Sequence, residues 1–306
     1  MKGLLILIKN KKFNFNKNDI KSLIYLAPSL IVFILFMVIP LLYTVYLSFF
    51  KWNMVSPKKE FVGLENYISI FQNKDNYRII LNSLLYIILL TIFCCVIPYI
   101  LSFVLEQIIT KFKNIYKSLI FIPSVISLVV ASILFTWILN PVSGPLSIIL
   151  GKIGLSIPFW SKMEGWVIVV ISLITSWKVF GYNFIVLYAS IAGISRELIE
   201  AAKLDNLSNT KIFLKIILPM SSATGVYIFI ITIVQGVQYV FTPIKVITQG
   251  GPDNASSNLI YSSYQQAFEM YNTGSSSALS VITMIIFAIL LILEFKFVEK
   301  GVYYEN

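Results

Sequence analysis

The sequence predicts an all-α integral membrane protein of six transmembrane helices, and three observations carry that reading. The chain is 58% hydrophobic and 12% charged, with a mean hydropathy of +0.83, against roughly 25% charged residues in a soluble domain. Its apolar residues fall in continuous rather than alternating runs, and only helices or closed barrels satisfy their own backbone in lipid. Six of these runs reach the ~20 residues that a helix needs to cross a hydrocarbon core.

Taken in order, residues 1–22 read as a basic cytoplasmic tail. Its apolar run Gly3–Ile8 is shorter than a signal-peptide core and has no small-residue cleavage site behind it. Residues 23–306 form one transmembrane domain with expected spans at 23–49, 79–105, 118–139, 165–189, 220–240 and 278–298. Six spans put both termini on one side. If that side is the cytoplasm, the inner segments, with Lys296 at the end of the sixth span, hold 15 Lys and Arg and the outer loops 8, the bias expected of a positive interior. It comes mostly from Lys2, Lys9, Lys11, Lys12, Lys17 and Lys21. The net charge of +10 therefore reads as topology. The lysines form no stripe with interleaved aromatics, so nucleic acid is not an expected partner.

Several chemistries are excluded. Without histidine the chain has no imidazole acid, base or metal ligand. Cys94 and Cys95 are adjacent inside an apolar run and read as packing residues. Gly144, Gly151 and Lys152 fail as a phosphate loop, because the glycines are seven apart and Ile153 follows the lysine. No cofactor and no metal are expected, and any ATP hydrolysis belongs to another polypeptide.

Between the fourth and fifth spans lies a polar loop of about thirty residues, 190–219, where neighbouring spans need only 2–8 or so. It reads as helix-turn-helix. Leu198, Ala201, Ala202 and Asp205 recur at i, i+3, i+4 and i+7 and share a face, while Arg196, Glu200 and Lys203 point elsewhere. Ala201 and Ala202 are small enough for a partner to approach closely. Asp205 suits a cap on the next helix, and Asn206 suits a left-handed turn. Phe213, Ile216 and Ile217 give the second helix an apolar side, and Pro219 marks the start of the fifth span.

Lys178 stands midway along the fourth span, beside Trp177 and near Tyr182 and Asn183. A charge there costs ~2.5–3.5 kcal/mol on the insertion scale, so it should face protein or a water-filled cavity. It serves a solute pathway, with Trp177 and Tyr182 offering aromatic faces, or else caps carbonyls or pairs with a carboxylate. In the fifth span Gln235 and Gln238 share a face with Tyr239 beside them. Their amides suit a hydroxyl-rich solute and equally well hold helices together.

The stretch Glu200-Ala201-Ala202-Lys203-Leu204-Asp205-Asn206-Leu207, continued by Phe213, Ile216, Leu218 and Pro219, resembles the "EAA" loop of membrane subunits of binding-protein-dependent ATP-binding-cassette importers. The departure is Asn206, where the family usually has Gly. Tyr25-Leu26-Ala27-Pro28, the run Pro40, Tyr43, Leu47-Ser48-Phe49 and Trp52, then Phe61 to Tyr67 and Asn82-Ser83-Leu84, resemble the sugar and glycerol-phosphate permeases, specifically the maltose-type first subunit. So do Thr248-Gln249-Gly250-Gly251-Pro252 with Tyr264, Ala267 and Phe268, and the closing Tyr303-Tyr304-Glu305. The resemblance implies a type I importer bundle that carries a carbohydrate-like solute. It further implies a second homologous permease, two cassette ATPase subunits that receive the 190–219 loop, and an extracytoplasmic solute-binding protein. Gly250-Gly251-Pro252 is a tight turn with a possible second role in contacting that protein. A secondary transporter is the nearest alternative, but its coupling carboxylates find no counterpart in spans that hold no clear Asp or Glu. A membrane enzyme lacks a nucleophile–base pair, and a scaffold would not need the loop.

Overall fold

The computed structural model describes residues 17–297. The tail lysines Lys2, Lys9, Lys11 and Lys12 and the closing Tyr303-Tyr304-Glu305 lie outside them. Helix α1 (17–47) leads into a hairpin of β1 (Phe50–Lys51) and β2 (Glu60–Phe61), with Phe50 opposite Phe61. The short α2 (Glu65–Gln72) precedes α3 (Lys74–Gln107), and α4 (Lys113–Val125) meets α5 (Leu128–Ile138) at a 100° bend. Then come α6 (Pro145–Gly151), α7 (Trp166–Ala192), α8 (Arg196–Leu204), α9 (209–220), α10 (Ser222–Thr248), α11 (Leu259–Phe268) and α12 (Thr273–Phe297). Helices α1, α3, α7, α10 and α12 are each long and apolar enough to cross a membrane, and the bent pair supplies the sixth crossing.

That pair corrects the continuous span expected over 118–139. Pro123 has no amide hydrogen to give the helix, and Ile126 and Ser127 adopt extended backbone. The pair still joins opposite ends of the bundle. At one end Lys113 bonds Glu106, and at the other Trp160 Nε1 donates to Leu139 O at 3.0 Å while Arg78 pairs with Glu164. The inner end is hereafter the end that carries 190–219, and the outer end the one that carries the hairpin.

Other prolines are absorbed without a break. Pro40, Pro98 and Pro219 each stand two residues after a widened π turn, at Ile34–Val38, Ile92–Val96 and Phe213–Ile217. In each, the next amide reaches back five residues, as from Ile97 N to Ile92 O. The wider turn relieves the clash between the proline ring and the carbonyl four residues earlier. Pro40 and Pro98 therefore lie inside their spans. Pro219 lies in α9, and the fifth span begins after Ser221, whose backbone departs from helical angles.

Buried side chains gather in layers. An inner cluster packs Ile199, Ala202, Ile212 and Ile217 of the loop against Tyr99 and Phe103 of α3 and Leu187 and Ile191 of α7. A second cluster joins Tyr86 and Leu90 of α3 to Ile168 and Ile171 of α7 and to Tyr261 of α11. The outer end is closed by residues 249–258, folded back into the bundle. Asn82 Nδ2 donates to Asn254 O, Ala255 O and Ser257 O, Tyr86 OH to Ser256 O, and Asn258 Nδ2 to Val237 O. A loop that deep needs such partners for its backbone. The Asn82-Ser83 pair supplies them, since Ser83 Oγ also accepts from Leu259 N at 2.9 Å. The tight turn at Gly250-Gly251-Pro252 is present, with Gly251 N bonded to Thr248 O and Gly250 at φ +86°.

Candidate functional site

The loop 190–219 is a helix-turn-helix held against the inner end. Helix α8 stops in a Schellman turn: Asn206 takes φ +55°, its amide bonds Lys203 O, and Leu207 N reaches back to Ala202 O. Asparagine tolerates this left-handed position better than other residues with a Cβ, which is how the turn keeps its form where the related loops carry glycine. Leu207 and Ala202 then meet in the inner cluster, the apolar contact that accompanies such turns. Two expectations need correction. Ala202 is buried against its own bundle and is closed to a partner. Asp205 does not cap the following helix, because Ser208 does, its Oγ accepting from Lys211 N.

Burial therefore sorts the face of α8 differently from the heptad reading. Ile199 and Ala202 point inward, while Leu198, Glu200, Ala201, Lys203 and Asp205 are exposed. Leu204, passed over in the sequence reading, is 83% exposed on the same short helix. A leucine this exposed and flanked by charges fits a seat on another protein better than it fits water. Phe213 is half-buried between Tyr99 and Phe103 and serves to anchor the loop.

The six residues assigned to a solute path separate into two groups. Lys178 Nζ donates to Ser124 O at 2.8 Å, and Ser124 Oγ donates to Lys178 O at 2.9 Å. The lysine thus caps the carbonyl end that the 100° bend leaves open. Asn183 is 0% exposed and bonds Cys94 O and Thr232 Oγ1, tying α7 to α3 and α10. Trp177 stacks edge-on against Phe135 and lines an apolar cavity of about 640 Å³ with Phe93 and Phe180. These three do not form an open polar surface.

The second group does. Tyr182 OH lies 3.5 Å from Tyr227 OH, and both rings are exposed. On α10, Tyr227, Gln235, Gln238 and Tyr239 fall within a sector of about 120° at 3.6 residues per turn, and all are exposed. Among the described residues neither glutamine side chain is hydrogen-bonded. Amides and phenols facing lipid leave their polar atoms unpaired, so this face belongs against water or another chain. Tyr227 had no signal in the sequence beyond its register with Gln238.

One further expectation fails. Glu294 lies within α12, is 5% exposed, and has neither carboxylate oxygen hydrogen-bonded among the described residues. The spans thus do hold a carboxylate, and its supposed absence no longer separates this chain from a secondary transporter. Among the described residues no group of His, Cys, Asp or Glu is placed to hold a metal ion.

A bundle of six crossings, one of them broken, with an inner helical loop seated on it and a polar face along two helices, defines a polytopic transport protein of the inner-membrane permease class. The chain belongs to the family of binding-protein-dependent transport system inner membrane components, whose model matches residues 100–302. It is 33% identical over 290 residues to the probable ABC transporter permease protein YurN of Bacillus subtilis, spanning 94% of this chain and 98% of that one. It is 28% identical over 284 residues to the sn-glycerol-3-phosphate transport system permease protein UgpA of Pectobacterium atrosepticum, at 92% and 95% coverage. Its fold matches a chain of a bacterial ABC transporter involved in the import of the acidic polysaccharide alginate, with a TM-score of 0.80 and 20% identity over 93% of this chain and 96% of that one.

Proposed function

We propose that this chain is the transmembrane subunit of an ATP-driven importer for a carbohydrate or related polar solute, and that α8 is the element through which a separate ATPase drives it. The observation that carries this reading is the construction of α8. It is pinned by Ile199, Ala202 and the Asn206 turn, yet presents Leu198, Ala201 and Leu204 outward with no partner surface of its own. A short rigid helix of that kind acts as a lever in a groove. Its displacement selects between two packings of the bundle, open to one side or the other.

The exposed face of Tyr182, Tyr227, Gln235, Gln238 and Tyr239 forms one wall of the solute path in this reading, and a second, homologous permease supplies the facing wall. Phenol rings and amides suit a polyhydroxylated solute: rings cover its C–H faces and amides bond its hydroxyls without demanding charge. The solute class is supported by the sn-glycerol-3-phosphate permeases among the relatives, which fit a related polar solute, and by the alginate importer among the solved structures, one of which holds a pentasaccharide-bound periplasmic protein. A binding protein at the outer end would deliver the solute, and two cassette ATPases at the inner end would close on ATP. Docking at the two ends is then linked reciprocally in binding free energy.

The test is Ala201→Trp. Ala201 is exposed on α8, so a helix without a partner accepts the change within about ±0.5 kcal/mol, whereas a seated helix is overpacked by ~1–3 kcal/mol. Loss of ATPase co-purification and of labelled-sugar uptake, with the subunit still inserted, is the expected result. Normal uptake would remove α8 from the coupling role.

A further inference from the structure

Two charges stand at the wrong ends of their own helices. Glu106 occupies the last turn of α3, and Lys113 is the first residue of α4, so each opposes the partial charge of its helix terminus. Each is explained by the other. Lys113 Nζ donates to Glu106 Oε2 at 2.9 Å and to the Glu106 carbonyl at 2.7 Å. Tyr188 OH, one turn before the end of α7, donates to the same Oε2 at 2.5 Å, and the Lys117 ammonium lies 4.9 Å from the centre of the Tyr188 ring. Arg196, the first residue of α8, is near enough for its charge to act on Glu106. The Glu106 side chain is 12% exposed, whereas the partners of the Arg78–Glu164 pair are 32% and 66% exposed.

The far end of α4 is fixed as well. Its Ser124 is locked to Lys178, and it lies so close to α7 that a Cβ at Gly181 would fall 2.6 Å from Ile120 O. Helix α4 is thus a short rod joined at its inner end to the last turns of α3 and α7, and at its other end to the middle of α7.

We infer that Glu106 is a positioning residue for transport. It gathers the ends of α3, α4 and α7 on one carboxylate, so that displacement of α8, which directly follows α7, is passed to α4 and on to the break in the third crossing. This rests on α8 being the helix that meets the ATPase. A poorly solvated carboxylate with two donors on one oxygen holds them in one geometry, because parting them strands a charge. The junction therefore moves as a unit or switches between discrete arrangements.

The experiment uses the assembled transporter with Glu106→Gln, Lys113→Met, Lys113→Arg and Tyr188→Phe. The amide keeps the shape of Glu106 and loses its charge. We expect Glu106→Gln and Lys113→Met to retain the ATPase while solute imported per ATP hydrolysed falls at least about fivefold, the lower end of measured couplings. Lys113→Arg keeps the wild-type ratio. Tyr188→Phe removes one hydroxyl and lowers the ratio in the same direction, and it carries the test if Glu106→Gln does not insert. A wild-type ratio in the intact Glu106→Gln and Lys113→Met complexes overturns the inference, as does a proportional fall in uptake and hydrolysis. Failure of the underlying reading looks different: Ala201→Trp would then leave ATPase binding and uptake unchanged.

Discussion

Lys178 shows how a side chain that suggests a solute path in the sequence meets a backbone carbonyl in the fold. A lysine amid Trp, Tyr and Asn suggests a solute path, but the 100° bend one helix away creates a carbonyl end that needs a donor, and Lys178 supplies it. Lys178→Met should therefore lower stability by about 0.5–1.5 kcal/mol, the net worth of one hydrogen bond to a part-buried acceptor, and leave the KM for solute unchanged. Thermal unfolding in detergent and uptake kinetics read the two effects separately. Asn206 makes the opposite case, since its role was legible from residue type alone. At φ +55°, Asn206→Gly should be accepted, while Asn206→Val should cost ~1–2 kcal/mol in the left-handed region and reduce the yield of assembled complex.

The informative elements are those that depart from regularity. The π turns ahead of Pro40, Pro98 and Pro219 show the same local answer to the same chemical problem, so the first two spans run on where a rule against proline inside helices would end them. The α4–α5 break is different because it relies on α7. Gly181 lets α4 approach until its backbone nearly touches, as small residues do between membrane helices. Gly181→Leu should force α4 away, with overpacking of at least ~1–3 kcal/mol. The expected readout is a lowered melting temperature and new protease sensitivity near residues 122–128, with α8 and its ATPase contact initially intact.

For the whole molecule, exposure must be read against two solvents. Helix α1 is scarcely buried and shows Ile31, Val32 and Phe36 to its surroundings, which suits lipid. The Tyr182–Gln238 face does not. Single cysteines at 235 and 238 should react with a water-soluble maleimide in the assembled complex, while cysteines at Leu85 and Ile88, exposed apolar positions of α3, should take up only a lipid-phase probe. Cys94 and Cys95 are buried and give little background. Labelling of 235 and 238 from lipid alone would place that face outside any aqueous path.

The sequence by itself determined the solvent, the number of crossings and the existence of an inner loop built as helix-turn-helix, because those follow from local quantities: run length, hydropathy, turn-forming residues. It also identified the Asn206 turn, since a left-handed residue after a helix is a property of a few neighbouring positions. Only the tertiary structure decided which side of α8 is free, that Ser208 rather than Asp205 caps the next helix, that Lys178 bonds Ser124 O, and that the Asn183 amide nitrogen bridges to α3 and α10. It likewise decided that Glu106 joins three helices and that Glu294 is buried. The reason is physical. The polar side chains that tie the bundle together find their partners far along the chain, 49 residues away for Asn183 and Thr232 and 172 for Asn82 and Asn254, where no sequence period reaches.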